Sequence, residues 1–109
     1  METKILRLQS GHNRTKAHLH RIGIIDSPLC SCNEEQTVTH VLFHCPVYNI
    51  QREVMIDNIE RHYVRHNTPY EERSLTLNTL LWPSHTNVMT RREIQRAVGA
   101  FLVTTGADV

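Results

Sequence analysis

Apolar positions recur along this chain with helical rather than strand periodicity. Ile5, Leu6 and Leu8 suit a short helix or an extended arm that Gly11 breaks. Residues 13–22 (NRTKAHLHRI) predict a second helix, with Asn13 placed to cap its start. Gly23 is placed to end it in a left-handed turn, Ile24 folding back on Leu19. Asp26-Ser27-Pro28 reads as a turn. Val38, Val41 and Leu42 then share one helical face; Asn33 with Gln36, or Thr37 alone, can cap that helix. Pro46 disfavours helical geometry for Cys45 before it.

Residues 47–63 predict a longer amphipathic helix, its stripe formed by Val47, Ile50 and Val54 and widened by Tyr48, Met55, Ile59 and Tyr63. Asn67 begins a break. Thr68-Pro69-Tyr70-Glu71 has the cap, proline and glutamate of a helix start, leading into Leu75, Leu77, Leu80 and Leu81, in one piece or two, until Trp82-Pro83 stops them. Thr90-Arg91-Arg92-Glu93 is a second capping box. Ile94, Ala97, Val98, Phe101 and Leu102 follow at the spacing of a core-facing helix, and Gly106 is expected to end the ordered chain. No strict alternation, repeat or low-complexity segment interrupts this pattern. The expected fold class is all-α: a small irregular bundle of about five helices.

Composition narrows how such a bundle is held. The chain has 109 residues, one domain's worth, with 39% hydrophobic and 6% aromatic residues, which promises a thin core. Small domains of this kind often add a metal or disulfides. No apolar run approaches the ~20 residues needed to cross a bilayer, so no membrane partner is expected. The net charge of +1 is unevenly spread. Residues 1–25 carry five basic groups against Glu2 alone, a net +4; the remainder carries seven basic and ten acidic groups, a net −3. Lys4, Arg7, Arg14, Lys16 and Arg21, with His12, His18 and His20, therefore form a candidate surface for an anionic partner, or simply a solvated helix face.

The chemistry concentrates in CSCNEEQTVTHVLFHC, residues 30–45. Three thiolates and an imidazole are a ligand set that tetrahedral structural zinc accepts, which assigns one Zn²⁺ to Cys30, Cys32, His40 and Cys45. His44, one helical turn beyond His40, is a rival ligand. An odd cysteine count in one tight cluster argues against a secreted disulfide framework and for an intracellular setting, nucleus or cytoplasm. Four protein ligands leave no open coordination position, so the site is expected to be structural. No nucleophile elbow, phosphate loop, paired carboxylates or His-Glu-x-x-His is present, so no enzyme activity and no small-molecule substrate are expected. On this reading residues 1–109 form a single domain: a basic N-terminal helical arm (1–25), a zinc-binding loop and helix (26–46) and a helical tail (47–105).

Several of these residues together resemble a known pattern. Ser10-Gly11-His12, Ala17 to Gly23 (AHLHRIG), Asp26 to Cys32 (DSPLCSC), and Glu35, Thr37-Val38, His40 to Phe43 with Cys45-Pro46 resemble the C-terminal cysteine-histidine block of insect-type non-LTR retrotransposon polyproteins of the Jockey, R1 and I kind. The likeness covers residues 5–48; the tail agrees only in being amphipathic. Asn33 stands where that family usually has glycine, Ser10 where it has threonine, and His18 at a common tyrosine position. The resemblance implies a zinc-binding CCHC module, without catalytic residues of its own, that helps to hold RNA or DNA with weak sequence specificity, the polymerase and nuclease domains lying upstream. The alternative is a zinc-stapled protein-interaction or homodimerisation module, for which the apolar segment Leu75 to Trp82 is a candidate surface, or else core.

Overall fold

A computed structural model describes residues 3–109, so the first two residues of the predicted N-terminal helix lie outside the described part. The fold is all-α, with five α-helices among the described residues: α1 Thr3–Ser10, α2 Lys16–Arg21, α3 Asn49–Arg65, α4 Leu77–Leu81 and α5 Val88–Thr105. A π-helical turn, His40–His44, and 3₁₀ turns at Pro46–Tyr48 and Tyr70–Glu72 join them. Among the described residues the only strand-like pairing is an isolated bridge between Leu29 and Glu35. The molecule is elongated, 47 × 25 × 22 Å.

The core lies where α3 runs along α5, with α1 and α4 closing its sides. Met55, Ile59 and Tyr63 of α3 meet Ile94, Ala97, Val98, Phe101 and Leu102 of α5, all buried. Ile5 and Leu8 of α1, Leu80 and Leu81 of α4, and Val41 and Leu42 of the π turn complete the cluster. The α5 face is the one its spacing predicts. Leu75 and Leu77 pack on the cluster as well, and Trp82 stays 47% exposed, so the Leu75–Trp82 segment is mostly core rather than a docking surface.

The α3 face is the predicted one only in part: Met55, Ile59 and Tyr63 are buried and Tyr48 packs on the core as expected, but the other half of the stripe is not. Val47, Ile50 and Val54 are 55%, 76% and 56% exposed, while Arg52, Met55, Ile59 and Tyr63 turn inward. The 3₁₀ turn at Pro46–Tyr48 starts the helix two residues late and sets its rotation, and Arg52 takes an inward position that an apolar count assigns elsewhere.

Three predicted helix starts also move. Asn13 does not cap α2; Thr15 does, accepting from the His18 amide, while Asn13 Oδ1 accepts from the Thr15 N–H and hydroxyl. Thr68 starts no helix, because its amide is used to close the end of α3 on Tyr63 O, with Asn67 in the left-handed region at φ 51°. Only a 3₁₀ turn follows, and α4 waits for Thr76, which caps the Thr79 amide. Asn87 rather than Thr90 caps α5, accepting from Met89 N. Thr90 is instead buried, its Oγ1 3.0 Å from His62 Nε2.

Gly23 does end α2 as predicted: Gly23 N donates to His20 O and Ile24 N to Leu19 O, although the Ile24 side chain stays exposed. Gly106 caps α5 at φ 64°, but it does not end the ordered chain. Ala107 and Val109 are buried, and Val109 O accepts from Arg14 N.

Candidate metal centre

The site is built from two short pieces. The first is a tight loop: Gln36 N donates to Pro28 O, Cys30 N to Glu34 O, and Asn33 N to Cys30 O. The chain reverses at Asn33, φ 70°, a left-handed position that asparagine tolerates through its short polar side chain. Cys30 and Cys32 therefore project from one knuckle. The second piece begins at Thr37, whose Oγ1 accepts from His40 N and so settles the capping in its favour over Asn33 with Gln36.

The π turn explains how His40 and Cys45 serve one site. Five residues of regular α-helix would carry Cys45 about 140° round from His40. Here Cys45 N donates to His40 O at 2.7 Å, an i→i+5 closure that fits one more residue into the turn. Cys45 then leaves the helix in extended geometry (φ −64°, ψ 118°), as Pro46 after it requires. Both ligands face the knuckle.

The four ligand atoms lie within 4.8 Å of one another. Cys30 Sγ is 3.6 Å from Cys45 Sγ, Cys45 Sγ 4.0 Å from Cys32 Sγ, and Cys32 Sγ 3.1 Å from His40 Nε2. Zinc–sulfur bonds of ~2.3 Å in a tetrahedron place sulfurs about 3.8 Å apart, so Cys30, Cys32, His40 and Cys45 are close enough to hold one metal ion. Cys30, Cys45 and His40 are buried and Cys32 is half-buried. His44 is exposed, tilted against Phe43, and stands outside the quartet.

Proton affinities in the cluster are split. Burial pushes the Cys30 thiol up, but the Cys32 amide and the Cys45, His40 and Cys32 side chains outweigh it and hold Cys30 at about 6. Burial raises Cys45 to about 11, its Val47 amide contact opposed by the charge of Cys30. A cation among the sulfurs favours all three thiolates.

Two surrounding residues escape a ligand-spacing search. Gln36 joins the loop to α2: its Nε2 lies 3.9 Å from Cys30 Sγ, its Oε1 accepts from Lys16 N, and its carbonyl accepts from Ala17 N. Arg52 comes from α3 and donates to the carbonyls of Val41 and Leu42 in the π turn. The signal for each was a polar residue at a position where only burial reveals its role.

The predicted anion-binding residues are partly gathered. Arg14 and Lys16 line a cleft of about 300 Å³ beside Cys30, Ser31, Gln36 and Tyr48. Arg14 also pairs with Asp108 at 3.1 Å. His12 and His18 meet edge-on at 6.3 Å, and His20 Nδ1 is 3.3 Å from Ile25 O. Arg21 is exposed at the end of α2. Lys4 and Arg7 belong to α1: Lys4 Nζ donates to Ala107 O, and Arg7 is half-buried. Among the described residues no helix is long and apolar enough to cross a membrane. Comparison with protein-family models, with curated proteins and with solved structures finds no match.

Proposed function

We propose that this chain is a non-catalytic, zinc- and nucleic-acid-binding module of the kind found at the C-terminus of non-LTR retrotransposon polyproteins, in such a polyprotein or in a host protein derived from one. The observation that carries this reading is the juxtaposition at the metal centre. The residues of the resemblance converge as a Cys₃His quartet, and the cleft beside Cys30 is lined by Arg14 and Lys16. Zinc in that quartet has no open position; it fastens the knuckle to the π turn and so fixes where α2 presents its cations. An intracellular, reducing compartment suits three free thiols. Phosphate contacts from Arg14, Lys16 and Arg21 supply affinity, and Tyr48, already packed edge-on against Phe101, offers little base stacking, so sequence preference is weak. A titration with single-stranded RNA at two salt concentrations tests the reading. Replacing Arg14, Lys16 and Arg21 together by Gln is expected to remove most of the affinity and flatten its salt dependence; undiminished binding sinks it.

A second reading, a zinc-stapled protein-interaction or homodimerisation module, is favoured by a different observation: the outward row of Val47 in the 3₁₀ turn with Ile50, Val54 and Val64 on α3. Light scattering over a wide concentration range checks the dimer version, for which a constant monomer mass is the refuting result.

A further inference from the structure

Arg52 is an unusual residue to find inside so small a core. It is only 6% exposed, and each guanidinium nitrogen has a neutral acceptor: Nε to Leu42 O at 2.8 Å, Nη2 to Val41 O at 2.9 Å, Nη1 to Asn49 Oδ1 at 2.8 Å. The ion pairs among the described residues are Arg14–Asp108, Arg61–Asp57 and Arg96–Glu93, and none includes it. A buried cation facing only dipoles is costly unless a negative charge lies near. The two carbonyls it grips belong to the turn whose first residue is the ligand His40 and whose cap is the ligand Cys45. A divalent ion on three thiolates and a neutral imidazole leaves one net negative charge.

We propose that Arg52 is the counter-charge of the metal centre, a positioning residue that offsets the net charge of the loaded quartet while clamping the π turn that carries two of its ligands. The proposal rests on the metal reading of Cys30, Cys32, His40 and Cys45. Burial lowers the proton affinity of the guanidinium, and negative charge at Cys45 opposes that cost. Asn49, at the start of α3, is the acceptor open to substitution without loss of the hydrogen bond.

The test measures zinc affinity by competition with a chromophoric chelator, alongside urea unfolding of the zinc-loaded chain. Arg52→Gln is expected to weaken zinc about 10–100-fold, the usual cost of losing an outer partner of a metal site, and Arg52→Lys to recover most of that loss. Asn49→Asp separates charge from scaffolding. It keeps the hydrogen bond and places a carboxylate at a helix start, where the dipole welcomes it, so the fold holds or gains. It also draws the charge of Arg52 away from the sulfurs, so zinc binding is expected to weaken roughly three- to fivefold. Unchanged affinity in Asn49→Asp, with Arg52→Lys and Arg52→Gln equally impaired, overturns the proposal and leaves a strap for carbonyls. A wild-type chain that binds no zinc removes the metal reading itself, a different result from any variant-specific change.

Discussion

Residues 12–40 and the α3–α5 pair are held by different forces, although one short chain contains both. Between residues 12 and 40 the buried apolar side chains are Ala17 and Cys30, whereas Asn13, Thr15, Gln36 and His40 are buried polar groups bonded to one another's backbone or to the cluster. In α3 and α5 the buried set is Met55, Ile59, Tyr63, Ile94, Ala97, Val98, Phe101 and Leu102, with Arg52 and Thr90 the polar exceptions. Burying a large apolar side chain contributes about 1.5–3 kcal/mol, but a typical hydrogen bond contributes only about 0.5–1.5 kcal/mol net. The first region therefore cannot balance its ordering entropy from polar contacts alone, while the second has apolar burial to set against it. Val41 and Leu42, next to ligand His40 and fully buried in the common core, are the seam between them.

Withdrawing the metal breaks this comparison most forcefully. Structural zinc sites in small domains contribute binding free energy on the order of 10–16 kcal/mol near neutral pH. Chelation with EDTA is expected to remove the contribution of the first region to the thermal transition, seen by circular dichroism as a smaller, broader and lower melt. Amide exchange then resolves the two regions. Protection at Ala17, Gln36 and Val41 is expected to vanish, while that at Val98 and Phe101 persists in part. An unchanged melt in chelator refutes the metal staple; equal loss everywhere refutes the division into two regions.

A core truncation probes the division from the other side. Phe101 is buried at 2% exposure, and its ring meets Tyr48 edge-on at 6.2 Å. Phe101→Ala is expected to cost about 3–5 kcal/mol, read as a lower urea midpoint of the zinc-loaded protein. Zinc affinity measured where the variant is still folded is expected to stay within about twofold, an upper bound near 0.4 kcal/mol. A proportional fall in affinity means that core and metal centre unfold as one unit.

How far the sequence discloses each region follows from the same division. The clustering of Cys30, Cys32, His40 and Cys45 is legible because soft donors at chelating spacing have few other uses, and the α5 face is legible because five apolar residues repeat without conflict. The π turn is not legible: nothing in HVLFH demands the i→i+5 closure of Cys45 N on His40 O that turns both residues to one knuckle. Capping boxes mislead where tertiary packing claims the threonine. Thr90 is drawn inward to His62, and the Thr68 amide is consumed by the end of α3. The basic residues are legible as a count, yet Lys4 and Arg14 turn out to be tied to Ala107 and Asp108 near the end of the chain, contacts more than ninety positions away.

The smallest expected effect tests the subtlest of these misreadings, the rotation of α3. Ile50 and Met55 are both apolar, and the residue count alone places each on the buried side. The fold exposes Ile50 to 76% and buries Met55 to 2%. Met55→Ala is expected to cost about 2–5 kcal/mol, the range for emptying a packed site. Ile50→Ser changes no core contact, and serine and isoleucine have similar helix propensities, so its effect on the urea midpoint of the monomer is expected within about 0.5 kcal/mol. The pair fixes the helix rotation without reference to any ligand. Arg52 turns inward only if Ile50 turns outward, two residues and about 200° apart on the helix. An Ile50→Ser penalty equal to that of Met55→Ala would place Ile50 in the core, and Arg52 would then lose its grip on the π turn and its reach to the metal centre.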